Sequence, residues 1–420
     1  MDNMDLLKRR RQRRAEKAAR DARKKRMRSW IALCAAAAVL TVVLCLLIGT
    51  LVKQTKPSGA PQAEQPNQPT QAPDSETTIT IAFGGDLNVT DKTVASGASE
   101  GGYDYSSVFM DVLPALAGAD ATVLNFEGNL CTGDFGSQNA NAPIQMAQAL
   151  TSAGVDMVQM ANSHSIRNGL LGLDETLKNI RQVGLEPLGA YTSNEEFAET
   201  KGFTIKSIHG VKVAFVAFTK GMDSLGLPEN EQDRVNLLYT DYASTYQEVD
   251  EEGITQVLDA VAEAKPDVTV ALLHWGSEFN SQVSGTQTEI VELMQGKGVD
   301  AIIGTHSHYV QQVDYDEQTG ALVAYSLGDF FGDADKKGTE YSMVLELEIT
   351  KNNVTGNTKI TEFDYTPIYT VVEESGTRVL RMEQAIAAYE ANSIGRVSEE
   401  TYNNMKSALS KLQAMVEPEE

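Results

Sequence analysis

The chain has 420 residues and a net charge of −23, unevenly spread: residues 1–28 hold 13 Lys/Arg against four Asp/Glu, and the remainder 22 against 54. So acidic a remainder excludes nucleic acid as its partner. Of the three cysteines, Cys34 and Cys45 fall in one uncharged apolar run and leave Cys131 alone, so the rest of the chain must fold on core size or metal rather than on disulfides.

That run, Trp30–Val52, is 23 residues long. Roughly 20 apolar residues cross a bilayer as a helix, whereas the core of a cleaved signal peptide is about 7–15. The spacing predicts one uncleaved transmembrane anchor over 30–52. The positive-inside rule keeps the basic segment 1–29 in the cytoplasm, making this a single-pass cell-membrane protein with an extracytoplasmic C-terminal part. Lys53–Thr77 holds five of the 12 prolines with Gln, Ala and Ser, and reads as a semi-extended linker over 53–77.

From Thr78 an α/β rhythm begins. Strand-length apolar runs are expected at Ile79–Phe83, Thr122–Asn125, Val155–Met160, Val211–Phe218, Val268–Leu273, Ala301–Ile303 and Leu322–Ser326. Helix-period stretches are expected at Pro143–Gly154, Leu170–Gly184, Gly253–Lys265 and Thr286–Gly298. Such alternation indicates a buried mixed sheet system with helical covers. Two stretches read as hairpins, one turning at His209–Gly210 and one near Asn352–Asn353. A helical tail fills 371–420, its pattern running from Arg378 to about Met415. The Asp-rich GDFFGDAD, with Asp329, Asp333 and Asp335, lacks the ligand ladder of an EF-hand and reads as a solvated surface loop.

Chemistry-bearing residues collect just past the carboxyl ends of these strands, where ligands bind in α/β sheets. They are Asp86 in GGD, Asn125 and Glu127 in NFE, Asn162, Ser163 and His164 in ANSHS, His274 and Glu278 in HWGSE, and His306 and His308 in THSH. Four of the five histidines stand there. Mixed carboxylate and imidazole donors suit one or two divalent metals of the Mn, Zn, Fe or Mg kind. Two metals bridged by one carboxylate would polarise a phosphoryl or carbonyl oxygen and supply hydroxide. The i, i+2 spacing of His306 and His308 puts both on one face if that segment is extended, with Gly304 ending the strand and turning the backbone.

In order, AFGGD, LNFEGNL, ANSHSIRNG, LLHWGSEF, IIGTHSHYVQ and YSLGDFF resemble the CapA family of bacterial capsule and poly-γ-glutamate synthesis proteins over about Thr78–Pro367. That family's domain is related to calcineurin-like metallophosphoesterases. The resemblance implies a four-layer α/β/β/α sandwich of metallophosphoesterase type over 78–370, preceded by one transmembrane helix. It implies Asp86 and His308 on one metal, His274 and His306 on another, Glu127 bridging, and His164 as the acid beside Asn162. Three departures stand out. Ser163 replaces an Asn, Arg167 and Asn168 replace an acid and an aromatic, and Asp329 replaces the Asn of SLGNF; the first implies a weaker second metal position.

The expected function is that of a metal-dependent hydrolase-type protein in capsule or poly-γ-glutamate biosynthesis or export. It would act on an anionic polymer or phosphoester beside other synthesis subunits in the bacterial membrane. Two alternatives are a non-catalytic polymer-handling subunit and a general extracytoplasmic phosphoesterase.

Overall fold

The computed structural model describes residues 75–373 and 376–417. The expected basic segment, anchor and linker lie outside the described residues, among which no helix is long and apolar enough to cross a membrane. In chain order the strands are β1 (Glu76–Asn88), β2 (Ala98–Ser99), β3 (Gly102–Tyr103), β4 (Ala121–Glu127), β5 (Met157–Gln159), β6 (Glu186–Leu188), β7 (Phe203–Ile208) and β8 (Val211–Thr219). They continue with β9 (Val268–His274), β10 (Ala301–Thr305), β11 (Val313–Tyr315), β12 (Leu322–Ala324), β13 (Asp329–Phe331), β14 (Tyr341–Asn352), β15 (Thr358–Glu373) and β16 (Gly376–Arg381).

Two sheets carry this mixed α/β fold. The first has the order β16-β15-β14-β1-β4-β5-β6, with β13 also paired to β1; the second has the order β11-β12-β10-β9-β8-β7. Neighbouring strands β1, β4, β5 and β6 are parallel, as are β8, β9, β10 and β12. Parallel neighbours need crossover connections. The helices Ile144–Ser152, Gly169–Gln182, Glu251–Ala264 and Gly285–Gly296 supply them at the four stretches of helical period. Glu251–Ala264 shows why: Ile254, Val257, Leu258 and Val261 form one buried stripe. Its cap Asp250 accepts the Gly253 N–H at 2.9 Å, and Lys265 leaves the helix in the left-handed region at φ 51°. Every residue of β4, β9 and β10 is buried, as in strands covered on both faces.

The β7–β8 hairpin turns through consecutive left-handed residues, His209 and Gly210, at φ 49° and 86°. The β14–β15 hairpin turns through residues 353–357, just beyond Asn352. Two expectations are corrected. The first concerns the helical tail, whose start is edge strand β16, antiparallel to β15; helices begin only at Met382–Glu390 and Glu399–Val416. The strand is short and buries two consecutive residues, Val379 and Leu380, a pair that fits the helical period that follows as readily as a strand. Glu399–Val416 packs with Met405, Ala408, Leu412 and Val416 into the same compact unit as the sheets.

The second concerns GDFFGDAD. Asp329–Phe331 is buried strand β13, parallel to β1, with Phe330 and Phe331 against Phe109 at ring distances of 5.7 and 5.4 Å. Two consecutive aromatics with a place in the core outweigh the loop character of the Asp and Gly around them. Only the end of the segment lies toward solvent, where Asp335 pairs with Lys92 and Asp333 accepts the Thr90 hydroxyl.

Candidate metal centre

Strand register delivers the side chains. In the first sheet Asp86 pairs with Asn125 and with Asp329, and Asn88 with Glu127. In the second, Thr219, His274 and Thr305 stand in one row, so the residues after them leave the sheet together. Asp86, Glu127 and Asp329 therefore enter from the first sheet, and His274, His306 and His308 from the second. The approach of β13 depends on Gly85. A Cβ there would stand 1.7 Å from the Gly328 carbonyl oxygen, which accepts the Asp86 N–H at 3.0 Å.

Two groups of metal-ligand type result among the described residues: Glu127, His274 and His306; and Asp86, His308 and Asp329. Within each, one potential ligand atom per residue lies within 4.8 Å of the others; five of the six residues are buried and the His308 side chain is 12% exposed. Bonds of about 2 Å set ligand atoms around a cation up to about 4 Å apart, so a small inward movement suffices. In the first group His274 Nε2 lies 3.4 Å from Glu127 Oε1, and the His274 and His306 rings are 4.5 Å apart. Glu127 Oε2 and His306 Nδ1 are buried without a hydrogen-bond partner. Leaving such an atom unpaired costs about 1–3 kcal/mol, so both fit a cation that this group would hold.

In the second group His308 Nδ1 lies 2.8 Å from Asp329 Oδ1, and Asn88 Nδ2 donates to the same oxygen at 2.9 Å. Asp86 stands between the groups, 3.7 Å from His308 Nδ1 and 3.9 Å from His274 Nδ1. The resemblance gave the bridge to Glu127; the structure groups Glu127 with His274 and His306. Asp86 is held rigidly, accepting Asn125 Nδ2 at 2.6 Å and the His306 N–H at 2.9 Å.

His306 and His308 do not lie on an extended segment. Both have positive φ, 90° and 59°, so they reach different groups with ring centroids 6.3 Å apart instead of sharing one strand face. Gly304 is not the turn either. It remains within β10, where a Cβ would meet Tyr325 O at 1.9 Å and Trp275 Nε1 at 2.5 Å. Ser163 Oγ lies 3.0 Å from His274 Nε2, while Asn162 Nδ2 donates to Asn125 Oδ1 at 3.1 Å and to Phe126 O at 2.8 Å. His164 stands at the rim, with Nδ1 4.0 Å from Glu127 Oε1 and Nε2 3.4 Å from Asp223 Oδ2. Glu278 is exposed and lies outside both groups, because Gly276, at φ 76°, turns the chain after Trp275.

Asp223 and Lys220 were not singled out from the sequence, although TKGMD follows β8 as the other polar motifs follow their strands. Thr305 and Asn88 were missed too; Thr305 Oγ1 lies 3.1 Å from His274 Nδ1. A cleft of about 1110 Å³ between the C-terminal helix and β14–β15, lined by Lys92, Tyr369 and Lys411 among others, contains none of the six residues.

Burial and then the Glu127 charge raise the Asp86 carboxyl to about 6. Glu127 behaves oppositely: burial would raise it, but His274 and then His308 and His164 hold it well below the usual range. Burial alone would depress His308, yet Asp329, Glu127 and Asp86 carry it well above an ordinary imidazole. Burial and His274 push His306 well down. His164 is raised, against its burial, by Asp223 and then Glu127.

The Asp86 shift sets a sign. An unfolded Asp titrates near 3.9, so the metal-free folded protein binds an extra proton between about 4 and 6. That contribution to stability is complete below about 4 and disappears as pH rises through about 6. Chelator-treated protein should therefore lose Tm across this window, measured by calorimetry against Asp86→Asn, which lacks the titration. Equal slopes in the two proteins would overturn the assignment.

The chain resembles known proteins in three ways. The family model described as bacterial capsule synthesis protein PGA_cap matches residues 80–334. The capsule biosynthesis protein CapA of Bacillus anthracis is 27% identical over 264 residues, 60% of this chain and 59% of that protein. This chain thus spans under two thirds of that relative. The PGA biosynthesis protein CapA of Bacillus subtilis strain 168 is 25% identical over 296 residues, 69% of this chain and 72% of that one. Among solved structures, the calcineurin-like phosphoesterase YfkN of Bacillus subtilis aligns with a TM-score of 0.39 and 16% identity, over 80% of this chain and 98% of that chain. The family match runs from β1 through β13 and takes in more than half of the sequence, so the chain belongs to the bacterial capsule synthesis protein family.

Proposed function

We propose that this is a membrane-anchored, extracytoplasmic protein of capsule or poly-γ-glutamate synthesis. Its metal-dependent hydrolase-type site would lie at one edge of a four-layer α/β/β/α sandwich of metallophosphoesterase type. Family membership and the names of the relatives, among them a probable polyglutamine synthesis accessory protein of Mycobacterium tuberculosis, support the pathway. The anchor and the orientation rest on Trp30–Val52 and the basic residues before it. One observation carries the site: Glu127 Oε2 and His306 Nδ1, both buried and unpartnered, belong to one three-residue ligand group beside a second such group.

Bound divalent cations would supply Lewis-acid polarisation and a water of lowered pKa. The chain's own residues do the rest. Asp223 and then Glu127 shift His164 toward its protonated form, so it can give a proton to a leaving group at the rim. Asn162 fixes the turn that carries it, because Asn162 Oδ1 accepts the His164 backbone N–H at 3.0 Å. The turn is tied by Ser165, whose hydroxyl donates to Met160 O at 2.6 Å. Asn125 joins this turn to Asp86, so acid and ligand positions share one hydrogen-bonded frame.

A second reading, a subunit that guides polymer without cleaving it, is favoured by Ser163. Its hydroxyl meets His274 Nε2 where the family offers an amide oxygen, a better ligand. Metal analysis of the purified full-length protein, followed by assays on generic phosphoesters and a γ-glutamate oligomer, separates the two. We expect one to two divalent cations per chain and metal-dependent turnover. Cation binding without turnover selects the polymer-handling reading. A protein that takes up no cation at saturating metal sinks the hydrolase reading.

A further inference from the structure

The mouth of the site brings three cationic side chains, Lys220, Arg167 and Lys336, among the carboxylates of Asp223 and Glu278. Lys220 directly follows β8, and its N–H donates to His274 O at 2.8 Å. Its ammonium group is half-buried, donates to Gly276 O at 2.7 Å and lies 4.6 Å from the Tyr246 ring centroid. Burial lowers its pKa, while the Glu278 and Asp223 carboxylates act the other way. Arg167 Nη1 lies 3.6 Å from Asp223 Oδ2, the oxygen that also meets His164. Lys336 Nζ lies 3.2 Å from the centroid of Phe279, whose ring is 5.2 Å from that of His308. Three separate loops thus bring one cation each to the Gly276 carbonyl just past His274, to Asp223 beside His164, and to Phe279 beside His308.

Solvated surface charge explains Arg167 or Lys336 taken singly. It explains less of Lys220, which is partly desolvated and whose ammonium group gives one of its three donors to the Gly276 carbonyl. The Glu278 and Asp223 carboxylates offset its charge only through space, with no hydrogen bond to it. Inside the rim, Asp86, Glu127 and Asp329 would repel an incoming anion. Two divalent cations would more than offset those three charges.

We propose that Lys220, with Arg167 and Lys336, forms a receiving rim for a carboxylate or phosphoryl group of the substrate next to the bond presented to the centre, and that the rim accepts the anion only once cations fill the ligand groups. This rests on the metal-dependent reading above. Lys220 and its companions act as binding and positioning residues. An ammonium and a guanidinium make the charge-assisted hydrogen bonds that such groups require.

The test uses full-length protein in detergent micelles, with fluorescence anisotropy of a labelled γ-glutamate oligomer and of a polyphosphate of equal charge. Each is measured with Mn²⁺ and with chelator, and metal content is determined on the same samples. With Mn²⁺ at least one anion should bind, and the tighter one identifies the substrate group. Lys220→Met should weaken it about 10-fold or more, and Arg167→Gln and Lys336→Gln about 3- to 10-fold each. Lys220→Arg should restore most of the affinity, and bound metal and Tm should stay at wild-type values in all four. Chelator should abolish binding. Rim variants that bind as wild type while holding full metal would overturn the rim alone, and so would failure of both anions to bind metal-loaded protein. Absence of bound metal in the wild type would instead overturn the reading on which the rim rests.

Discussion

Replacing His306 with alanine is expected to remove one divalent cation per chain while leaving the metal-free protein about as stable as before. Its Nδ1 is buried and unpartnered, so truncation relieves an unfavourable desolvation of about 1–3 kcal/mol even as it opens a cavity of similar cost. Loss of one of three ligands should weaken that position by at least about 100-fold, since even residues one shell further out are worth 10- to 100-fold. His308→Ala should behave differently. It strips the cationic partner from Asp329, leaving a buried carboxylate uncompensated, and should cost the metal-free protein about 3–5 kcal/mol. Metal analysis and Tm with and without chelator distinguish the two. Identical profiles for both variants would show that the histidines do not serve separate groups.

The second large effect is expected at a residue with no side chain. In Gly85→Ala the new methyl would stand 1.7 Å from the Gly328 carbonyl oxygen, a backbone atom that no rotamer change can move aside. The strands must separate, at about 3 kcal/mol or more, which lowers Tm by at least about 4 °C in a unit of this size. Since Asp329 follows Gly328 directly, the variant should also lose metal affinity in the group of Asp86, His308 and Asp329 while the neighbouring group retains its own. Gly101→Ala, with nothing within 4 Å of its Cβ, is the control and should be near neutral. A Gly85→Ala protein with wild-type Tm and full metal would show that β13 can sit elsewhere.

What the sequence made legible follows from how strands end. Apolar runs predict strands, and a polar residue just past such a run must project at the sheet's carboxyl edge. That local rule found Asp86, Glu127, His164, His274, His306 and His308 without any knowledge of pairing. It did not extend to Asp329, which reaches the centre only because two glycines let distant backbones approach, a fact about pairs of segments. It misjudged Glu278, which shares a motif with His274 but lies beyond the positive-φ Gly276 that turns the chain. The extended geometry assumed for His306 and His308 failed for the same kind of reason: left-handed backbone at a non-glycine residue is imposed by surrounding contacts and leaves no mark on composition. Lys220 and Asp223 were within reach of the rule, but a lysine and a methionine after a strand read as ordinary loop.

The split of donors between the sheets has a mechanical consequence. Carboxylates come from one sheet and imidazoles from the other, so a cation in either group would be a rivet across the seam between them. Each sheet keeps its own hydrogen-bond ladder when the rivet is withdrawn; what changes is how readily the two halves part. The lifetime of the folded state, and with it the time a protease needs to find an opening, would then be set by the free cation concentration around the protein.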